Sequence, residues 1–381
     1  MKEIPGGVCA VRGVRAHGVK EGKDGLAVIM GEGASAGVFT KNKIIAAPLV
    51  ITRMHLAEHR LYAVVANSGC ANALTGTRGL ADATRTAELV AGRFGVPANS
   101  IGVASTGVIG VPLDLDWIED RIDSVIAGLS DTREGSAAAA RAIMTTDTYP
   151  KEFAVELLSG VRIGGITKGS GMICPNMATM LAFIYTDADL PHEMLVSCLK
   201  RAVNRSFNMI VVDGDTSTND MVLLTATAES GTPDRDEFQE GLDYVCTELA
   251  KMIARDGEGA EKLIEARVTG AETDEDARKA AKAIVQSPLV KTAVHGNDPN
   301  WGRVIAAVGY SGADIDPDQV SLALCGVSVM DRGRVVDGAD VDMSGEDVEI
   351  TVDLGIGAGE AVAWGCDLTC GYVRINAEYT S

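Results

Sequence analysis

The residue with the most suggestive surroundings is Thr179. A glycine-rich approach, Lys168-Gly169-Ser170-Gly171-Met172-Ile173-Cys174-Pro175-Asn176-Met177-Ala178, leads into it, and the apolar run Met180-Leu181-Ala182-Phe183-Ile184-Tyr185 follows. That run reads as a buried strand. A threonine hydroxyl is not ionised near neutral pH and is a weak nucleophile unaided. If the chain is cut just before it, its own α-amine becomes the base. The local residues fit an ordinary strand-starting threonine as well as this nucleophile.

Other stretches offer chemistry with less context. Ser105-Thr106-Gly107-Val108-Ile109-Gly110 follows a predicted strand, and a glycine-containing turn there can aim backbone N–H groups at one point, as an oxyanion hole requires. Asp213-Gly214-Asp215 with Thr216, Ser217 and Thr218 reads equally as a carboxylate pair, a cation site or a plain turn. Gly33-Ala34-Ser35-Ala36-Gly37 matches a nucleophile-elbow string, but Val38-Phe39-Thr40 prefers a strand where the elbow needs a helix. The five histidines, at 17, 55, 59, 192 and 295, form no metal-binding spacing, so no metal is expected. Asn300-Trp301-Gly302-Arg303 reads as a structural anchor or as a salt-bridging group near chemistry.

These groups must be held by strands interleaved with helices. Predicted strands include 25–30, 38–40, 62–66, 100–104, 152–158, 161–166, 209–212, 222–228, 262–269, 348–354 and 372–377. Amphipathic periodicity predicts helices over about 80–94, from 114, over 134–144, 191–205 and 234–255, from Thr273 to Pro288, and near 303–309. The fold class is α/β or α+β with mixed sheets, and a change of composition near 270 marks an expected boundary. The chain has 381 residues, 46% hydrophobic and 23% charged, with a net charge of -19. That acidity argues against a nucleic-acid partner. Eight cysteines without a CxxC pair read as reduced core residues. No run reaches membrane-spanning length and no secretory signal pattern opens the chain, so a cytoplasmic protein is expected.

KGSGMICPNMATML (168–181) resembles the self-processing site of the ornithine acetyltransferases, also called glutamate N-acetyltransferases, of arginine biosynthesis. The resemblance extends, in order, over AGVFTKNK (36–43), VANSGCANALTG (65–76), STGVIG (105–110), AIMTTDTYPK (142–151), VVDGDTSTNDM (211–221), GNDPNWGRVIAAVGYSGA (296–313) and YVRINAEYTS (372–381). It implies an αββα sandwich carrying a smaller C-terminal α+β region, with 1–270 as the main catalytic unit and 271–381 as the smaller one. It implies self-cleavage between Ala178 and Thr179, giving an α chain (1–178) and a β chain (179–381) in an α2β2 particle. Thr179 would then carry acetyl from N-acetylornithine to glutamate in a ping-pong scheme. Thr106 and Gly107 would hold the oxyanion. Thr145, Lys168, Thr179, Glu258, Asn376 and Ser381 would contact substrate, with Thr146 an alternative to Thr145. No cofactor is implied. Some members also use acetyl-CoA as donor, and no stretch here separates the two forms. An amidase or aminopeptidase of the same fold, with water as acceptor, is the alternative.

Overall fold

A computed structural model describes residues 1–174 and 180–378 of the chain. Those residues form ten α-helices and two β-sheets. The first sheet runs in the spatial order Lys2–Glu3, Lys151–Glu156, Arg162–Lys168, Leu181–Thr186, Met221–Ala226, Asp24–Phe39, Arg60–Cys70 and Ile101–Val108. Arg15–Glu21 is paired to Asp24–Phe39 as well.

Asp24–Phe39 is one strand of 16 residues where the sequence suggests two short ones. Its second half pairs with Met221–Ala226, from Met221 opposite Phe39 to Ala226 opposite Ala34. Its first half pairs with Arg15–Glu21 and Arg60–Cys70. The ladder shifts register between Met30 and Gly33, the kind of irregularity that bends a strand. The sheet therefore folds over on itself. Successive side chains point to opposite faces, and the strands use both. Leu181, Phe183, Tyr185, Met221 and Leu223 share an inner core with Ala27, Ile29, Val64, Ala66 and Ala104. The alternate residues Ala182, Ile184, Val222 and Leu224 face Leu195, Leu199, Phe238, Leu242 and Leu249 of the helices His192–Arg205 and Arg235–Arg255. On the far side Leu26, Val28, Val65, Ile101 and Val103 pack against Ala83, Ala87 and Val90 of Gly76–Phe94, and against Ile118 and Ile122 of Leu115–Ala127. This is the expected αββα sandwich.

The second sheet has the order Arg334–Val335, Val327–Asp331, Ser321–Leu324, Asp347–Asp353, Leu263–Ala271, Gly359–Cys366 and Ile210–Val211. Helix Asp274–Gln286 covers it, with Ala277, Ala280, Ala281 and Ile284 in one core with Ile264, Ala266 and Val268. Its first turn is capped by Thr273, whose hydroxyl accepts from Asp276 N at 3.1 Å. Ile210–Val211 pairs in parallel with Gly359–Cys366 and so ties the two sheets' regions together.

Three local expectations change. Tyr372–Ala377 is not a strand but lies in helix Cys370–Glu378. Val373 and Ile375 alternate as in a strand, yet both are exposed and have no sheet to bury against. Thr369 decides the outcome, its hydroxyl accepting from Tyr372 N at 3.2 Å as a helix cap does. Pro288 does follow a helix end, but it also begins the helix Pro288–His295, which Ser287 caps. The helix Ala47–His55, with Pro48 in its first turn, was not anticipated. Ser35 lies in the long strand, so the nucleophile-elbow reading fails as the sequence suggested.

Gly33 sits at the bend, where an added Cβ would fall 1.8 Å from the backbone oxygen of Ala226. Gly33→Ala is expected to destabilise the fold by about 3 kcal/mol, read as a lower urea midpoint at unchanged slope.

Candidate functional site

The ends of two strands, Ile101–Val108 and Arg162–Lys168, meet at a cleft of about 300 Å³, whose walls include Thr106, Gly107, Thr145, Thr146, Lys168, Gly171, Met172, Ser217, Thr218, Asn219, Glu258 and Asn376. Ala178, Thr179 and Ser381 lie outside the described residues. The other site residues expected from the sequence, namely Thr106, Gly107, Thr145, Lys168, Glu258 and Asn376, all line this one cleft.

Each is placed by its element. Thr106 and Gly107 belong to strand Ile101–Val108 rather than to a turn after it. Gly107 has φ 134°, and a Cβ there would lie 2.3 Å from the carbonyl carbon of Gly69. Only glycine lets the two backbones approach so closely. Lys168 ends strand Arg162–Lys168 and is buried. Its ammonium donates to Thr145 Oγ1 at 2.8 Å and to Thr106 Oγ1 at 3.3 Å. Thr146 lines the cleft beside Thr145, but it is the Thr145 hydroxyl that bonds Lys168. Glu258 follows the end of helix Arg235–Arg255, and its Oε2 accepts from Asn376 Nδ2 at 2.8 Å. Asn376 is brought there by the helix that the sequence reads as a strand.

The segment 213–220 holds the pieces together. Asp213 accepts from the backbone N–H groups of Met172 (2.5 Å), Ile173 (2.9 Å) and Asp215 (3.1 Å). It is thus a turn anchor for the glycine-rich approach. Thr216 Oγ1 donates to Cys174 O at 3.1 Å, and Asp220 Oδ1 accepts from Met180 N at 3.1 Å. The described chain on both sides of 175–179 is therefore held by one segment. Asn219 Nδ2 donates to Ala71 O (2.7 Å) and Ser105 O (2.8 Å), which fixes the strand end that carries Thr106.

Sequence reasoning missed the charges beneath the cleft. Lys151, wholly buried, donates to Asp147 Oδ1 at 2.7 Å and to Asp256 Oδ2 at 2.5 Å. Asp147 also accepts from Gly169 N (2.7 Å) and Thr145 N (3.0 Å), and its Oδ2 lies 4.0 Å from the Lys168 ammonium. A local signal was present in the TTDTYPK string, where Asp147 stands four residues before Lys151, the first residue of strand Lys151–Glu156, since buried charges need partners. Burial would raise the Asp147 carboxyl, but Lys168 and Lys151 outweigh it and hold it down to about 2. Burial lowers the Lys168 ammonium below the ordinary lysine range, with Asp147 opposing. Asp220 is pushed well above the carboxylate range, chiefly by burial. Among the described residues its Oδ2 has no hydrogen-bond partner.

Elsewhere, Arg303 Nη1 donates to Leu289 O at 2.8 Å and so anchors neighbouring helices. His295 Nδ1 lies 3.0 Å from Asp367 Oδ2 and 3.7 Å from Glu261 Oε2, and none of the three lines the cleft. All eight cysteines are free. No described helix is long and apolar enough to cross a membrane.

Asp147 has a folded pKa below its ordinary 3.8, so its stabilisation is present above that value and is lost as pH falls toward about 2. The lost contribution is on the order of 2 kcal/mol. Urea midpoints measured from pH 5 to pH 2 are expected to fall less steeply for Asp147→Asn than for wild type.

The ArgJ family model matches residues 11–381. A glutamate N-acetyltransferase from Methanosarcina mazei is 55% identical, with both chains covered in full. An arginine biosynthesis bifunctional protein from Symbiobacterium thermophilum is 50% identical, again over both full chains. A solved structure of the arginine biosynthesis bifunctional protein argJ of Bacillus halodurans is 45% identical, with a TM-score of 0.49 over 52% of this chain and 98% of that one.

Proposed function

The chain belongs to the ArgJ family, the glutamate N-acetyltransferases and ornithine acetyltransferases of arginine biosynthesis, and we propose that it moves acetyl from N2-acetyl-L-ornithine to L-glutamate through an acetyl ester on Thr179. The observation that carries this reading is one cleft lined by both a buried cation, Lys168, and a carboxylate, Glu258, beside Thr106 and Gly107. An acetylated diamino acid has a carboxylate for the first and a side-chain ammonium for the second.

In this scheme the precursor first cuts itself between Ala178 and Thr179, leaving chains 1–178 and 179–381. The freed α-amine, with an ordinary pKa of roughly 7.7–8.0, is partly neutral at cellular pH. It takes the proton from the Thr179 hydroxyl as Oγ attacks the acetyl carbonyl. Thr106 and Gly107 stabilise the oxyanion. Collapse of the tetrahedral intermediate breaks the C–N bond, and the proton passes to the departing ornithine amine. Glutamate then enters, its amine attacks the ester, and the Thr179 hydroxyl is restored. Ornithine and glutamate share the Lys168 contact. Asn376 orients Glu258, and Ser381 closes the substrate contacts. The two chains assemble as α2β2 in the cytoplasm and need no cofactor. Acetyl-CoA is a second donor if the chain is of the bifunctional kind, which glutamate plus acetyl-CoA without acetylornithine tests directly.

Purified protein is expected to give two bands on a denaturing gel, the smaller-numbered chain ending at Ala178 and the other beginning at Thr179. Thr179→Ala is expected to stay whole and to lose turnover; a Thr179→Ala chain that still splits there overturns the scheme. Ornithine release from acetylornithine is expected to require glutamate. Release that ignores glutamate assigns the protein to hydrolysis instead.

A further inference from the structure

Lys168 and Glu258 stand on different pieces of chain, yet both are tied to the same buried ammonium. Lys151 Nζ bridges two carboxylates, 2.7 Å from Asp147 and 2.5 Å from Asp256. Asp147 governs the cation's side of the cleft. It accepts from the backbone of Gly169, the residue after Lys168, and from that of Thr145, whose hydroxyl holds the Lys168 ammonium. Asp256 governs the anion's side. Its carboxylate accepts from Thr148 N at 3.0 Å and from the Thr148 hydroxyl, and its backbone oxygen accepts from Ser170 Oγ at 2.6 Å. Ser170 O in turn accepts from Glu258 N at 3.0 Å.

We infer that Lys151 is a positioning residue that sets the span between Lys168 and Glu258 and thereby selects the chain length of the diamino-acid substrate. This rests on the proposed reading that Lys168 takes the α-carboxylate and Glu258 the side-chain ammonium. The span matters because the backbone that carries each charge is tied to this network, at Gly169 beside Lys168 and at the Glu258 amide. The side chains of Lys151 and Asp147 are entirely shielded from solvent and that of Asp256 is 3% exposed, so bulk solvent does not screen the two ion pairs. A buried ammonium with two carboxylate partners has one packing arrangement, since losing either partner leaves an uncompensated charge. Neither Lys151 nor Asp256 lines the cleft, so a change at Lys151 reaches substrate only through geometry.

The test compares the N2-acetyl derivatives of ornithine, of lysine (one methylene longer) and of 2,4-diaminobutyrate (one shorter). Lys151→Arg keeps the charge but spreads the two carboxylates. It is expected to shift the kcat/KM ratio of the lysine to the ornithine derivative upward by about tenfold, the scale of one methylene in a fitted pocket. Thr148→Val removes only a hydroxyl on Asp256 and is expected to move the same ratio at least about threefold. It decides the matter if the Lys151 variants do not fold, which circular dichroism and a melt establish. A uniform fall for all three substrates at an unchanged ratio overturns the inference, because a merely structural lysine would behave so. Glu258→Gln separates the two layers. If it flattens the preference while Lys151→Arg and Thr148→Val leave it intact, the spacing role alone is wrong. If Glu258→Gln leaves the preference unchanged, the ammonium assignment fails and the inference falls with it.

Discussion

A single strand that must lie in two layers at once constrains the whole molecule. Asp24–Phe39 pairs with one set of strands over its first half and another over its second, and the break between Met30 and Gly33 is where the sheet turns over. Once it turns, Leu181, Phe183, Tyr185 and Leu223 have an inner core to enter, and the alternate residues of the same strands have helices to meet. Both faces of these strands are apolar for that reason, so a period-2 pattern is absent where the structure is most regular. Burying Phe183 fully is worth on the order of 2 kcal/mol, and that gain exists only while the fold-over holds the layers together.

The same fold-over decides where chemistry can occur. Strands buried on both faces offer solvent only at their ends, and the cleft lies where Ile101–Val108 and Arg162–Lys168 end together. Backbone groups at strand ends lack ladder partners and need others. Segment 213–220 supplies them, from Asp213 to the 172–173 amides, from Asp220 to Met180 N, and from Asn219 to the carbonyls of Ala71 and Ser105. What reads in the sequence as an ambiguous carboxylate pair is a clamp, because three N–H groups converge on Asp213.

Much of this was legible and some was not, for separable reasons. Helices with a strong apolar stripe and a cap, such as Arg235–Arg255 behind Asp234, were read within a residue or two. The bend in Asp24–Phe39 was not, since nothing local distinguishes a glycine that ends a strand from one that bends it. The expected strand 372–377 is instead part of helix Cys370–Glu378, since Val373 and Ile375 find no sheet and Thr369 caps the first turn. For the site, resemblance put Thr106, Gly107, Thr145, Lys168, Glu258 and Asn376 on one list, and the fold puts them around one cleft. Of the supporting charges, Asp147 and Lys151 stand four apart in the sequence, but Asp256, 105 residues beyond Lys151, joins them only through tertiary structure.

Burial of those charges strengthens their field at the cleft. Two unit charges 4 Å apart attract by about 1 kcal/mol in water but about 4 kcal/mol at the effective dielectric near a protein surface. Lys168 and Asp147, 4.0 Å apart with neither side chain more than 3% exposed, are in the stronger regime. That strength has a cost, because a lone buried ammonium would shed its proton. The alternation Lys168, Asp147, Lys151, Asp256 answers it with two charges of each sign, so the four groups together are neutral. Glu258 then stands at the cleft with only Asn376 as a side-chain hydrogen-bond donor among the described residues. On the proposed reading, a ligand bearing a carboxylate alone would pair with Lys168 but leave Glu258 without a cation. A ligand that brings an ammonium as well satisfies both, and at short range the difference between the two is worth several times what it would be in water.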